Sequence, residues 1–388
     1  MKRQVITKGF KHIFPGKTPL LISRAAGRVE LIGGHTDYNE GFVIAAAIDR
    51  SYYTAASPRQ DSTIHLYSEW AGHSHQFQLS PQLEPAGNCH WANYARGLAA
   101  LLLKQGFPLK GQDLYIHGDV PVGAGLSSSA AMELSLANAM LADRHNSIEP
   151  VRLAKICQQA ENIYAGTPCG IMDQIVCRMG RKDHAVFLDC RDLSVQMLPF
   201  DSEKCCIMIF NSMVRHELAD GAYGRRRKSC EDSVKIISKK YHHVKALRDA
   251  DPEILEELSC QLDPEQLKRS RHIVGENKRV LSAAEVLKTG DMVRFGRLMY
   301  QSHCSARDLY EISCDEVDFL VEQVIACDGA YGARLSGGGF GGSVVAIARP
   351  SATTDIASKV AHAYKKSFDI TPDIYTTRPC QGVEIITS

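Results

Sequence analysis

The chain has almost no charge bias. Lys and Arg number 45 against 44 Asp and Glu, for a formal net charge of +1. Binding driven by bulk phosphate attraction needs a basic excess, so no nucleic-acid partner is expected. No apolar run approaches the ~18 residues of a membrane span, so no membrane partner is expected either. The 13 cysteines include no C-x-x-C pair. Without ligand pairs at metal spacing a zinc site is not expected. Met1 to Phe14 is mixed and polar, unlike a secretory signal. The odd cysteine count then reads as reduced thiols in a cytoplasmic protein. Neither internal repeats nor low-complexity stretches occur. Apolar content of 44% and charged content of 23% are those of an ordinary globular protein. The densest basic run, Arg225 to Lys228, is followed by Glu231 and Asp232. It reads as a solvated helix face, with an anion contact as the alternative.

At 388 residues the chain is too long for most single cores, which favours two domains. Leu20–Leu31, Gly41–Ala47 and Leu114–Val120 read as strands. Trp91–Lys104, Ser127–Asp143 and Glu149–Tyr164 carry helical apolar spacing. A serine run opens the second of these helices and offers an N-cap. Polar turn material at Arg178–His184, then a strand at Ala185–Leu188, places a boundary near 190. The expected domains are 1–190 and 191–388, with the last strand a candidate to return to the first. The second half has helices at Arg226–Leu247, Asp263–Lys288, Met292–Ser302 and Ala352–Ser367, with strands at Gly342–Ala348 and Thr371–Thr377. Segregated helices and strands point to an α+β fold.

Four segments carry chemistry. Pro121 to Ala130 (PVGAGLSSSA) follows a strand and opens a helix. Its glycines let the backbone approach a ligand, and a helix N-terminus supplies free N–H groups and partial positive charge for phosphates. A helix cap with a flexible approach is the bland alternative. Gly16-Lys17-Thr18 only imitates a Walker A loop, because Lys11 stands where its first glycine belongs. Leu335 to Ser343 packs five glycines into nine residues, suggesting close backbone approach to a ligand or another loop. A strand carrying Arg28 leads to a turn presenting His35, Asp37 and Asn39, polar groups able to grip a polyol. Glu161 and Asp173 flank a Gly-Thr-Pro-Cys-Gly turn. One carboxylate could hold a metal and the other orient or deprotonate a hydroxyl.

In combination these segments resemble the GHMP kinases, and within them the galactokinases. The serine loop resembles the family's ATP loop, and residues 335–343 its third motif. Gly27 to Asn39 resembles the galactokinase signature, and Cys169-Gly-Ile-Met-Asp-Gln174 its catalytic segment. Further matches are Trp91–Tyr94, Tyr223–Arg226, Arg271–Glu276 and Ser302–Tyr310. The resemblance runs from about residue 20 to the end. It implies a two-domain fold without a P-loop: an N-terminal domain like ribosomal protein S5 domain 2, a ferredoxin-like C-terminal domain, and an active site in the cleft between them. It implies transfer of the γ-phosphoryl of MgATP to the anomeric hydroxyl of galactose. Asp173 becomes the candidate catalytic base and Arg28 its partner. Ser129 and Glu161 match magnesium-contacting positions. Gly123, Ala124, Gly125, Leu126, Ser127, Ser128 and Ser129 would wrap the phosphates, and Trp91 and Tyr94 would line the nucleotide pocket. Gly34, His35, Asp37, Gly170 and Tyr223 match sugar-contacting positions. The partners implied are a small sugar and ATP. Oligomeric state is not legible, with a monomer as the default.

Two departures stand out. Galactokinases usually carry Gly-Glu-His-Thr-Asp-Tyr, and that glutamate accepts from the sugar's C6 hydroxyl; here Gly34 stands in its place. Nearby, Glu30 stands where the signature has asparagine. Four residues of extended strand span roughly 13 Å, so Glu30 is not expected to substitute. Gly34 is therefore expected to leave space and remove a repulsion. Losing one hydrogen bond to a charged group costs about 1.5–3 kcal/mol, which weakens galactose recognition without abolishing it. Galactose is the first expectation, and a C6-modified galactose such as galacturonate the alternative. A non-catalytic sugar sensor is a third reading, but it would be expected to have lost the serine loop or Asp173.

Overall fold

In the computed structural model, residues 2–87, 90–121, 123–142, 148–167, 169–215 and 221–387 are described. The side chains of residues 90, 215, 222, 223 and 387 lie outside that description. Two antiparallel-rich sheets organise the chain. The first has eight strands: β1 (Leu21–Ile32), β2 (Phe42–Pro58), β3 (Thr63–Ser68), β4 (His73–Gln78), β5 (Gln112–Gly118), β6 (His184–Asp189), β7 (Val195–Pro199) and, from the far end of the chain, β12 (Val383–Thr387). The second runs β11-β8-β10-β9, from β8 (Cys206–Arg215), β9 (Ala330–Ser336), β10 (Gly341–Ala348) and β11 (Asp373–Thr377). Along the chain, β7, ending at Pro199, belongs to the first sheet, and β8, starting at Cys206, to the second.

Strand β1 is buried along nearly its whole length, and its run LISRAAGRVELI lacks polar alternation for that reason. Helix α3 (Ser128–Leu141) packs against β1 and β2. Residues 130 to 141 are buried except Met132, so this largely apolar helix is enclosed on all sides, with Glu133, Ser135 and Asn138 as buried polar residues. Helices α2 (His90–Lys104) and α4 (Pro150–Ala160) pack beside it. Glu149 caps α4 by accepting from the Val151 and Arg152 amides, and Pro150 fills its first position.

Two elements depart from the sequence expectations, and a third was not assigned there. The helix expected over Glu149–Tyr164 widens into a π-turn at Glu161–Ala165, which ends at Gly166 in the left-handed region. That turn carries Glu161 to the protein interior. The helix expected over Arg226–Leu247 is α6 (Ala222–Ile237) and stops early. The chain bends there so that Val244 and Leu247 enter the core of the second layer. The polar opening segment forms helix α1 (Lys2–Ile13), whose Ile6 and Phe10 pack with Tyr53 and Tyr115. Gly9 permits this contact, because a Cβ there would overlap the Tyr115 ring.

Helix α5 (Met172–Met179) carries Asp173 in its first turn. Helix α8 (Pro264–Thr289) is the longest in the second half; Asp263 and Gln266 form its capping box and Gly290 ends it. Helix α9 (Met292–Ser305) packs on α8 and β9. Helices α7 (Pro252–Glu257), α10 (Asp315–Ile325) and α11 (Thr353–Phe368) complete the eleven among the described residues. No helix among them is long and apolar enough to cross a membrane. The cysteines among them are free thiols.

Candidate active site

Asp173 lies where three elements meet. Arg28, from β1, donates through Nε to Asp173 Oδ1 at 2.8 Å and approaches the same oxygen through Nη2 at 2.6 Å. Its Nη1 donates to the Gly125 carbonyl at 2.5 Å, so one guanidinium ties Asp173 to the serine loop. Ser127 donates to Asp173 Oδ2 at 2.6 Å. The carboxylate also sits in the first turn of α5, where the helix dipole favours negative charge.

This contact explains the serine loop's behaviour. Ser127 holds φ at 54° and makes no side-chain bond to the helix it precedes. Its hydroxyl is spent on Asp173, so it does not cap α3 as the sequence suggested. Gly123 and Gly125 are exposed at φ of 78° and 70°, where glycine carries little strain. Ser128 and Ser129 are half-buried beside them. Ala124 and Leu126 instead bury their side chains in the main core. Their contribution to any ligand is through the backbone alone.

Two cavities adjoin this junction. One of about 350 Å³ is lined by Trp91, Tyr94, Ser128 and Ser129, together with Trp70, Tyr52, Met132 and Thr167. Trp91 donates its indole N–H to His73 at 2.9 Å. Trp70 is exposed, an apolar wall that no sequence motif signalled. The other cavity, about 200 Å³, is lined by Arg28, Glu30, His35, Asp37, Gly170 and Asp173, with Cys169, Met172, Gly337 and Gly338. Tyr223 was expected here, but its side chain is outside the described residues. The 335–343 glycines approach both a cavity and another loop: Gly337 and Gly338 line the second cavity, while Ser343 donates to the Ala124 carbonyl at 2.7 Å.

The polar groups of the second cavity are tuned by burial. Asp37 has its pKa raised to about 6, by burial first and the Glu30 charge second. Its Oδ2 lies against Gly170, where any Cβ would overlap it. His35 is pushed down to about 3 by burial and nearby positive groups, so its imidazole is neutral at pH 7. Its Nδ1 meets the Tyr38 hydroxyl at 2.7 Å, which in turn meets Tyr310 at 2.7 Å.

Beside the first cavity, Glu161 is buried and its pKa is raised by burial. Ser129 hydrogen-bonds it, and Gln174 donates to its Oε2 at 2.9 Å. The same Gln174 amide lies 3.4 Å from Glu133, a fully buried acid whose pKa burial drives well above the carboxylate range. Sequence reading passed over Glu133. Its one signal was a charged residue inside the mostly apolar run of α3.

The Gly33–Gly34 turn is gripped from the second layer. Glu276 accepts from the Gly33 amide at 3.0 Å and from Ser302 at 2.5 Å. His272 donates through Nε2 to the Gly34 carbonyl at 3.2 Å, so its Nδ1 accepts from Ser305 at 2.8 Å. The Arg271–Glu276 and Ser302–Tyr310 segments thus act as the turn's scaffold. Arg226 is structural too: it donates to the Tyr310 and Glu311 carbonyls and lies 4.8 Å from the Phe340 ring centroid. Arg227 pairs with Glu231 at the surface.

The Gly34 expectation needs correction on two points. The place of a side chain at 34 is not empty: an added Cβ would lie 2.6 Å from Arg334 Nη2. Nor is Glu30 remote, for its Oε1 would be 3.6 Å from that Cβ. A register shift in the β1–β2 pairing between Glu30 and Ile32, then Gly33 at φ 115°, folds the chain back.

Comparison with known proteins agrees with this geometry. Residues 93–181 match the GHMP kinases N-terminal domain, residues 283–369 the GHMP kinases C-terminal domain, and residues 8–58 the galactokinase galactose-binding signature. The chain is 43% identical over 332 residues to a galactokinase of Chloroflexus aurantiacus, covering 86% of this chain and 85% of that one. It is 38% identical to a human galactokinase over 98% of this chain and 95% of that one. The crystal structure of Lactococcus lactis galactokinase complexed with galactose superposes with a TM-score of 0.91 at 29% identity, covering 99% of this chain and 100% of that one. A mevalonate kinase shares the fold at a TM-score of 0.65, 17% identity, and coverage of 93% of this chain and 99% of that one. The chain belongs to the galactokinase family of the GHMP kinases and is an ATP-dependent sugar kinase.

Proposed function

We propose that the chain transfers the γ-phosphoryl of ATP to the anomeric hydroxyl of galactose, with Asp173 accepting the hydroxyl proton and Arg28 holding the Asp173 carboxylate in position. The observation that carries this reading is the position of Asp173. Its carboxylate lines the smaller cavity and is bonded to Ser127 of the serine loop, at the seam with the larger one. A sugar in the smaller cavity and a nucleotide in the larger would meet there. Phosphoryl transfer depends mainly on positioning and charge stabilisation, so a fixed carboxylate and guanidinium at the seam suit it.

The larger cavity suits a nucleotide. Trp91 and Tyr94 offer flat apolar faces for a base, and the exposed backbone of Gly123 and Gly125 leads to the N-terminus of α3 for the phosphates. Magnesium fits the donor set, since Ser129 and Glu161 present adjacent oxygen ligands. When bound it neutralises phosphate charge. In the smaller cavity Asp37 accepts from ring hydroxyls and His35 offers a neutral imidazole. The free thiols and the lack of a membrane-spanning helix among the described residues accord with work in the cytoplasm.

The test is ATP turnover by the purified chain with galactose, followed by the same assay on Asp173→Ala. Turnover that requires galactose and falls at least 10²-fold in the variant, with nucleotide affinity retained, is the expected result. Full activity in the variant would remove Asp173 from this role.

A further inference from the structure

Glu30 is 7% exposed, and Arg334 is 1% exposed. Arg334 Nη1 donates to Glu30 Oε1 at 2.7 Å. A buried ion pair gains little net stability over an apolar substitute, so stability alone does not account for one here. Glu30 nevertheless lines the smaller cavity, while Arg334 stands behind it. Among the described residues Oε2 has no hydrogen-bond partner. One oxygen is therefore fixed by the arginine, and the other is left to meet a ligand.

Gly34 permits this arrangement. The Arg334 guanidinium passes through the volume a residue-34 side chain would occupy. One cation thus serves a carboxylate reaching in from position 30, where a carboxylate from position 34 would otherwise compete for it. The same cavity is also lined by Arg28 and Asp173, where the phosphoryl acceptor must lie in the reading above.

We propose that Glu30, positioned by Arg334, is the carboxylate that accepts the sugar's C6 hydroxyl, replacing a side chain at position 34. This inference rests on the galactose reading of the site. It sets the specificity: a C6 alcohol donates to Glu30, a 6-deoxy sugar offers nothing, and a C6 carboxylate is repelled by it. Galacturonate is refused, although position 34 is glycine.

The experiment compares kcat/KM for galactose and 6-deoxygalactose in the wild type, in Glu30→Gln, and in Glu30→Asn/Gly34→Glu. Both sugars are assayed on the same preparation, so the ratio is insensitive to any misfolded fraction. The wild-type ratio should exceed about tenfold, the worth of one hydrogen bond to a charged group. It should collapse in Glu30→Gln, mainly through KM for galactose, and recover in the double variant. A ratio unchanged in Glu30→Gln, with both sugars reduced alike, would make Glu30 purely structural and overturn the proposal. So would wild-type use of galacturonate as efficient as that of galactose. A wild type that phosphorylates neither galactose nor its 6-deoxy analogue would instead defeat the galactose reading itself.

Discussion

Asp37 is a carboxyl held in a pocket that resists its charge. Burial and the nearby Glu30 raise its pKa to about 6, so the free enzyme takes up a proton there below that pH. The protonated form is a weaker acceptor for sugar hydroxyls. With galactose as substrate, kcat/KM should therefore fall as pH is lowered through about 6, because that parameter reports the free enzyme's ionisations. In Asp37→Asn the inflection should disappear, while overall efficiency drops. A wild-type profile flat from pH 5 to 8 would show that Asp37 does not serve as a charged acceptor. Gly170 supports the same carboxylate from below. A Cβ at 170 would overlap Asp37 Oδ2, so Gly170→Ala must push the carboxylate off its position. Steady-state kinetics should show galactose KM raised about tenfold, the scale of one charged hydrogen bond, with ATP KM little changed. The identities of Asp37, Gly170, Arg28 and Asp173 were legible as motif positions. Their mutual contacts were not, because Arg28 and Asp173 are 145 residues apart and only the folded sheet and helix bring them together.

Helix α8 and the turn at Gly33–Gly34 form one mechanical unit. Glu276 is fully buried and bonds the Gly33 amide, Ser302 and the half-buried Arg279. Burial alone would raise its pKa, yet Arg279 and Arg334 hold it down to about 2. Neutralising it in Glu276→Gln leaves the half-buried Arg279 without its charged partner, at a cost of about 1–3 kcal/mol. Denaturant unfolding at pH 7 should show a loss of that order, and galactose KM should rise more than ATP KM because the turn loosens. The sign with pH follows from the depressed pKa. Glu276 contributes stability above its unfolded pKa of about 4.5 and loses it as pH falls toward 2. The gap between wild type and variant should thus stay constant at neutral pH and narrow below about 4.5. A gap that widens in acid would contradict the pairing. Strand β1 and most helices could be read from apolar spacing to within a few residues. The Glu30–Gly34 relation could not, because the 13 Å estimate assumes a straight strand. The bulge before Ile32 and the positive φ of Gly33 are backbone events that no residue pattern at that site announced.

At the scale of the molecule, the last strand closes the sheet that carries the first. Strand β12 pairs antiparallel with β1 over Leu21–Ala25, and Arg24 bonds Glu384 at 2.6 Å. Just before it, Gly382 donates to the Gly180 carbonyl at 2.8 Å and accepts from the Ala26 amide at 2.9 Å. Those bonds hold the strand bearing Arg28 and Glu30 against the end of the helix bearing Asp173. Such closure between distant ends of a chain leaves no local sequence signature. The last strand legible in the sequence, Thr371–Thr377, forms β11 and pairs with β8; the strand that returns to β1 is the unread Val383–Thr387. Deleting residues 383–388 would leave the edge of β1 unpaired and open to association with other chains. Thermal unfolding of the truncated chain should begin several degrees lower, and aggregation should rise with concentration. The residual folded fraction should bind nucleotide more nearly normally than sugar, since Trp91 and the serine loop lie off β1 while Arg28 and Glu30 lie on it. Saturating galactose should then raise the wild-type midpoint by mass action, about 2.7 kcal/mol at 100 times Kd, and raise that of the truncated chain by less. Equal midpoints and equal galactose stabilisation in the two chains would show that β1 holds the sugar site without β12.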